Sequence, residues 1–256
     1  MAEFASWSSY WIFRRTVSRE LRYVWSDDIQ HFLDAVLKTS ASRVAQIDEG
    51  QLLWRSQLGH DWRLEGDGDL SNEVPCAFAK ERMKPLRHCA SDGRANARGI
   101  PCLYLSCEKE TAIAEVRPWM GSLVSVGQFR VTRQPKIIDC AQDYDKLPLY
   151  LEEPDSAERT RAVWANIDRA FSEPMTRADD SADYVPTQII AELFKREGFD
   201  GIGYRSRLGG GGFNVALFNL DDADLVNCGL YGIKNINFDF SVEDYTYHVR
   251  PSAVST

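Results

Sequence analysis

Glu115 closes a short helical segment, Thr111-Ala112-Ile113-Ala114-Glu115-Val116, at the edge of the apolar stripe formed by Ile113 and Val116. A carboxylate there can face a cleft while its helix packs, and can stabilise positive charge developing on a substrate. Arg55 and Arg94 each offer a planar fork of donors that suits paired anionic oxygens. Tyr104 alternates with Leu103 and Leu105, so its ring projects from the opposite strand face together with Cys102 and Ser106, free for stacking. Ser206 falls at a predicted strand end, and Asn214 follows eight residues later. Each has an ordinary reading as well: a Glu on a short helix is commonly solvated, and Arg55 can pair with the acids that follow it. Ser206 can cap a turn, and Asn214 reads first as a residue that fixes one.

Other chemistries find no support. The glycine run at 209–212 lacks the Lys-Ser/Thr of a phosphate loop and leads into a predicted strand, so no helix N-terminus meets a phosphate. Gly203-Tyr204-Arg205-Ser206-Arg207 lacks the second glycine of a nucleophile elbow. The four histidines (31, 60, 88, 248) form no ligand pair, and the six cysteines include no C-x-x-C, so no metal is expected and the thiols read as reduced.

Four segments occur in order: Leu53-Trp54-Arg55-Ser56; Gly93-Arg94-Ala95-Asn96; Leu103-Tyr104-Leu105 with Thr111 to Val116; and Tyr204-Arg205-Ser206 with Asn214. Together they resemble the RES family, named for an Arg, a Glu and a Ser. The resemblance spans about residues 50–220 and is strongest over 93–117 and 184–218. Ala95 stands where a Trp is often found, and Tyr-Arg-Ser replaces a common Val-Pro-Ser. The acidic stretch after Arg55 lengthens the path to Arg94, so either arginine can match the family's Arg.

The resemblance implies a toxin component of a bacterial toxin–antitoxin pair that consumes NAD+ as substrate and holds no bound cofactor. It implies an α+β fold similar to ADP-ribosyltransferase toxins, with mixed, strongly bent sheets flanked by helices. Glu115, Arg55 and Ser206 would be catalytic, and Tyr104, Arg94, Arg55 and Asn214 would contact the dinucleotide. A small Xre-type antitoxin whose C-terminal segment plugs the cleft is the implied partner.

The residue types suit that reaction. Breaking the nicotinamide–ribose bond passes through an oxocarbenium-like sugar, as in glycoside hydrolysis. Glu115 would stabilise it, Tyr104 would stack on nicotinamide, the arginines would hold pyrophosphate, and Ser206 would bond Glu115 or a ribose hydroxyl. The ADP-ribosyl group would pass to water or phosphate. Transfer to a protein usually needs a second acid beside the catalytic one, and the nearest upstream acids, Glu110 and Glu108, lie five and seven residues away, so neither forms Glu-x-Glu. A third reading is a non-catalytic module on the same fold that docks a partner through its aromatic N-terminus.

The elements that must position these residues follow from periodicity. Ser26-Asp27-Asp28 caps a helix whose apolar positions are Ile29, Phe32, Leu33, Val36 and Leu37. Strands are predicted over 51–58, 102–106, 123–131, 136–139, 200–206 and 213–219, with helices over 108–117 and 155–171 and one opening at Pro186. The polar stretch 60–73 reads as an exposed loop, the N-terminal 25 residues show no clear period, and alternation at Ile236, Phe238, Phe240 and Val242 reads as a late edge strand. This gives a helical N-terminal extension over 1–48 and an α+β domain over 49–256, the extension serving packing or homo-oligomer formation.

The chain has 256 residues and a net charge of −8, with 30 basic against 38 acidic side chains. That balance argues against nucleic acid as the main ligand, since neutralising phosphates needs clustered Lys and Arg. No apolar run approaches the roughly 20 residues needed to span a bilayer. The first 15 residues do not read as a secretory signal, and the expected location is the cytoplasm.

Overall fold

Asp155 shows how directly sequence becomes structure in this chain: its side chain accepts from the Glu158 amide at 2.8 Å and starts the helix Ser156–Ser172. The computed structural model describes residues 3–66, 71–86, 89–143, 145–146, 149–174, 181–208, 211–237 and 241. Helices are α1 (Ser9–Arg19), α2 (Asp27–Thr39), α3 (Lys80–Met83), α4 (Lys109–Glu115), α5 (Ser156–Ser172) and α6 (Val185–Arg196). Strands are β1 (Val44–Gln46), β2 (Leu52–Leu58), β3 (Asp61–Glu65), β4 (Asn72–Cys76), β5 (Leu103–Ser106), β6 (Leu123–Val131), β7 (Lys136–Cys140), β8 (Gly201–Arg205), β9 (Phe213–Leu217) and β10 (Ala223–Gly232).

Eight strands form one mixed sheet in the order β1-β7-β8-β9-β5-β2-β6-β10, in which only β7 and β8 pair parallel. The fold is α+β, a mixed sheet flanked by helices. Alternation along the central strands feeds two cores. Ile138, Ile202, Ala216 and Cys102 meet α1, α2, α5 and α6 on one side. Leu103, Leu105, Val215, Leu217 and Ile137 join Leu53, Phe129 and Met83 in the other. Each large apolar side chain so buried contributes about 1.5–3 kcal/mol, which makes this the main force holding the site's strands in register.

The N-terminal helices belong to the first core. Phe13 stacks on Phe32 with ring centroids 4.5 Å apart, and both lie with Phe171 and Phe194 of α5 and α6. The aromatic 1–25 stretch therefore contains a helix, α1, which buries Tyr10, Phe13 and Val17 at i, i+3 and i+7. Trp11 and Ile12, both on its exposed side, obscured that period in sequence. Residues 60–73 also depart from expectation: β3 and β4 pair antiparallel in a separate two-stranded sheet. Most of this ribbon is exposed, so its polar composition imitates a loop. The edge partner of β6 is β10, register shift included. The predicted late strand at 236–242 lies mostly outside the described residues, as do positions 209 and 210 of the glycine run.

Beneath α5 a polar group is fully enclosed. Arg43 donates to both oxygens of Asp168 at 3.0 and 3.1 Å, pairs with Asp143, and lies 4.1 Å over the Trp164 ring. Burial raises the Asp168 carboxyl to about 7, against the pull of Arg43. Opposite charges in contact are what make this burial tolerable.

Candidate active site

Four adjacent strands carry one residue each at the same level of the sheet. Tyr204 on β8 pairs in register with Asn214 on β9, Asn214 with Ser106 on β5, and Ser106 with Trp54 on β2. All four lie along one row because three antiparallel pairings fix the register, with Asn214 and Ser106 as its two inner members.

Helix α4 brings Glu115 to this row. The helix ends where it does because Arg117 adopts a left-handed backbone (φ 47°), its amide bonded to the Ala114 carbonyl at 2.9 Å, and Pro118 follows. Glu115 is thus the last helical residue. A carboxylate at a helix C-terminus faces the negative end of the dipole, and local donors must offset this. They do: the Ser206 hydroxyl and the Asn214 Nδ2 both donate to Glu115 Oε1, each at 2.6 Å. Among the described residues the other oxygen, Oε2, has no hydrogen-bond partner. Ser206 also accepts from the Leu208 amide at 3.0 Å, which holds its hydroxyl oxygen in place.

Close approach of α4 to the β8–β9 connection depends on Gly212. A Cβ there would stand 2.1 Å from the Thr111 hydroxyl oxygen, and Thr111 is fully buried. Any side chain at 212 would push α4, and Glu115 with it, off its donors.

Glu115, Asn214, Ser106, Tyr104, Arg55 and Arg94 line a common cavity of about 480 Å³. That is within the range of small-ligand sites. Arg55 donates Nη1 to the Tyr104 carbonyl at 3.1 Å, while its Nε is buried with no partner. Among the described residues no acid pairs with it. Burial lowers its pKa, because the charged form lacks a compensating anion. The alternative reading, in which Arg55 pairs with the acids after it, finds no such pair among the described residues, and Asp67 and Asp69 lie outside them.

Tyr104 is half-buried. Its hydroxyl donates to Asn96 Oδ1 at 2.7 Å and accepts from the Ala95 amide at 3.0 Å, and burial pushes its pKa well above the usual value. The phenol oxygen is committed to the 93–96 turn, which leaves the ring as the part that a ligand can meet. The same turn is held by a residue that sequence reading missed. Gln188 on α6 donates to the carbonyls of Gly93 and Asn96 at 3.0 and 2.9 Å. Nothing in its sequence surroundings distinguishes it from an ordinary helix glutamine.

Arg94 lines the cavity but turns one nitrogen to the Ala170 carbonyl, 2.7 Å away in the last turn of α5. It satisfies one of the carbonyls that every helix C-terminus leaves open. Ser206, 3% exposed, stands behind Glu115 rather than in the cavity wall. The structure therefore brings Glu115, Ser206 and Asn214 into direct contact, sets Arg55 and Tyr104 in the same cavity, and ties Arg94 partly to α5.

Among the described residues no group of three or more His, Cys, Asp or Glu is arranged to hold a metal ion. No helix among them is long and apolar enough to cross a membrane.

Comparison with known proteins gives one family. Residues 73–241 match the model of the RES domain. Arg55 lies upstream of that span, yet β2 pairs with β6 along seven residues and is integral to the sheet. No curated protein matches the sequence. Among solved structures, a chain of the M. tuberculosis MbcT–MbcA toxin–antitoxin complex is similar at 13% identity and a TM-score of 0.41, covering 77% of this chain and 92% of that one.

Proposed function

This chain belongs to the RES domain family, and from that premise we propose that it cleaves NAD+ at the nicotinamide–ribose bond and acts as the toxin of a toxin–antitoxin pair. One observation carries the chemistry: among the described residues Glu115 has one oxygen engaged by Ser206 and Asn214 and the other free, in the same cavity as an arginine with no acid partner. The pinned oxygen fixes the carboxylate's direction. The free Oε2 stabilises the positive charge that builds on the ribose as the C–N bond breaks and its electron pair leaves with nicotinamide. Arg55 supplies the charge that the pyrophosphate of the substrate satisfies, and the Tyr104 ring borders the nicotinamide end. The ADP-ribosyl group is then captured by water or phosphate. A protein antitoxin covering the cavity mouth belongs to the same proposal.

The test is NAD+ turnover by the purified chain, run with and without phosphate and read by mass. ADP-ribose in both conditions means hydrolysis; ADP-ribose 1″-phosphate only with phosphate means phosphorolysis. Consumption only in the presence of an added protein, which gains the mass of ADP-ribose, would make it a transferase. No consumption under any condition would leave a non-catalytic module.

A further inference from the structure

The carboxylate that faces the cavity is held by an asparagine, and an asparagine amide can present either its nitrogen or its oxygen. Only one orientation works. Glu115 Oε1 lies 2.6 Å from the Asn214 amide nitrogen, and a carboxylate oxygen accepts, so Nδ2 must face it. Rotation of the amide by half a turn would set oxygen against oxygen. What prevents the rotation lies on the other side: the Ser106 hydroxyl donates to Asn214 Oδ1 at 2.6 Å. The two residues are direct register partners across β5 and β9, and are 4% and 3% exposed, so water does not readily replace either bond.

We propose that Ser106 is a positioning residue: its hydroxyl fixes the Asn214 amide with the nitrogen toward Glu115, and thereby fixes which carboxylate oxygen remains free for the substrate. Ser106 has one proton to give, and Oδ1 takes it. The Glu115 carboxylate is thus steadied from two directions, by Ser206 directly and by Ser106 through Asn214. Chains of hydrogen bonds in a poorly solvated setting reinforce one another, so loss of the outer member loosens the inner one.

This inference rests on the cleavage reading for its kinetic part, and its test has a second arm that does not. Ser106→Ala should lower kcat for nicotinamide release by about tenfold with KM within about twofold, because orientation is lost and binding is not. Ser106→Thr keeps the hydroxyl and should restore most of the rate. The double variant Ser106→Ala/Asn214→Ala should be no slower than Asn214→Ala alone, since Ser106 acts only through that amide. Multiplying effects, or an unchanged kcat in Ser106→Ala, would overturn the proposal.

The second arm reads the Asn214 side-chain amide protons in the 15N-labelled chain, assigned by their absence in Asn214→Ala. In the wild-type chain the proton facing Glu115 should stand downfield and exchange slowly. Ser106→Ala should move it toward the ordinary range and speed its exchange by roughly tenfold. An unmoved pair overturns the relay whatever the activity. A wild-type chain that cleaves no NAD+ overturns the reaction instead, and the amide pair alone then decides the relay.

Discussion

The Ser206 hydroxyl and Glu115 Oε1 lie 2.6 Å apart although 91 residues separate them in the chain. The serine follows β8, the glutamate ends α4, and the contact exists only because β9 and β5 set both beside Asn214. It ties the glutamate directly to the serine, which holds the carboxylate from behind the cavity wall.

Glu115→Gln follows from this geometry. The amide oxygen of glutamine can take the place of Oε1 and accept from Ser206 and Asn214, so the fold should be kept. The charge facing the cavity is lost. NAD+ cleavage is expected to fall by about 10²-fold or more, with a melting temperature within a few degrees of wild type. A variant that keeps most of its rate removes Glu115 from the reaction.

Gly93→Ala tests the turn that bounds the cavity. A Cβ at 93 would sit 2.4 Å from the Tyr104 hydroxyl oxygen and 2.7 Å from Asn96 Oδ1, two atoms already bonded to each other. Neither is the free end of a flexible side chain. The expected cost is about 1–3 kcal/mol of stability, read as a lower melting temperature. Tyr104→Phe removes the nearer atom, so adding it to Gly93→Ala should cost less than its effect in wild type. Simple additivity would show that the clash was relieved elsewhere.

How much of this was legible in the sequence divides along physical lines. The 3.6-residue period of α2 and the Asp155 cap of α5 are local, and both elements form as their residues indicate. The alternation around Tyr104 is local as well, and Leu103 and Leu105 do enter a different core from Cys102. Strand β10 and the β3–β4 ribbon were not legible. Both are largely exposed, so burial imposes no alternation on them. At the site, the residue types were readable; of their pairings only that of Ser206 with Glu115 was, as one of two alternatives. Gln188 and Ser106 work through bonds to residues 92–95 and 108 positions away, which no spacing rule reports.

Acid should loosen the start of the parallel β7–β8 pair. Asp200 accepts from Arg133 Nη2 at 2.6 Å and from the Lys136 amide at 2.7 Å, and these bonds, the Arg133 one foremost, hold its carboxyl below the usual range. A carboxylate whose folded pKa is depressed adds stability above its unfolded value of roughly 3.9, and that part is lost as pH falls through the folded pKa. Asp200→Asn lacks the titration. The gap in melting temperature between wild type and Asp200→Asn should therefore be widest near neutrality and close as pH falls below about 4. A gap that stays constant across that range would contradict the assignment.

Arg55 should separate binding from stability. Its guanidinium is held in the cavity wall by one bond to the Tyr104 carbonyl, with Nε buried and unpartnered and no acid beside it among the described residues. An unpaired cation in such a place costs folding free energy, and burial accordingly lowers its pKa. An anionic ligand reverses the sign by supplying the missing charge. Arg55→Met keeps the length of the stem and removes the charge. The empty variant is expected to melt no lower than wild type, while KM for NAD+ rises by about 10- to 100-fold, the equivalent of roughly 1.5–3 kcal/mol for a lost charge-assisted contact. kcat should change much less, since ground state and transition state lose the contact alike. Wild type should also gain more melting temperature from saturating ADP-ribose than Arg55→Met does, because a ligand stabilises only as far as it binds. Equal shifts in the two proteins, with an unchanged KM, would mean that the pyrophosphate is held by backbone amides or by Arg94.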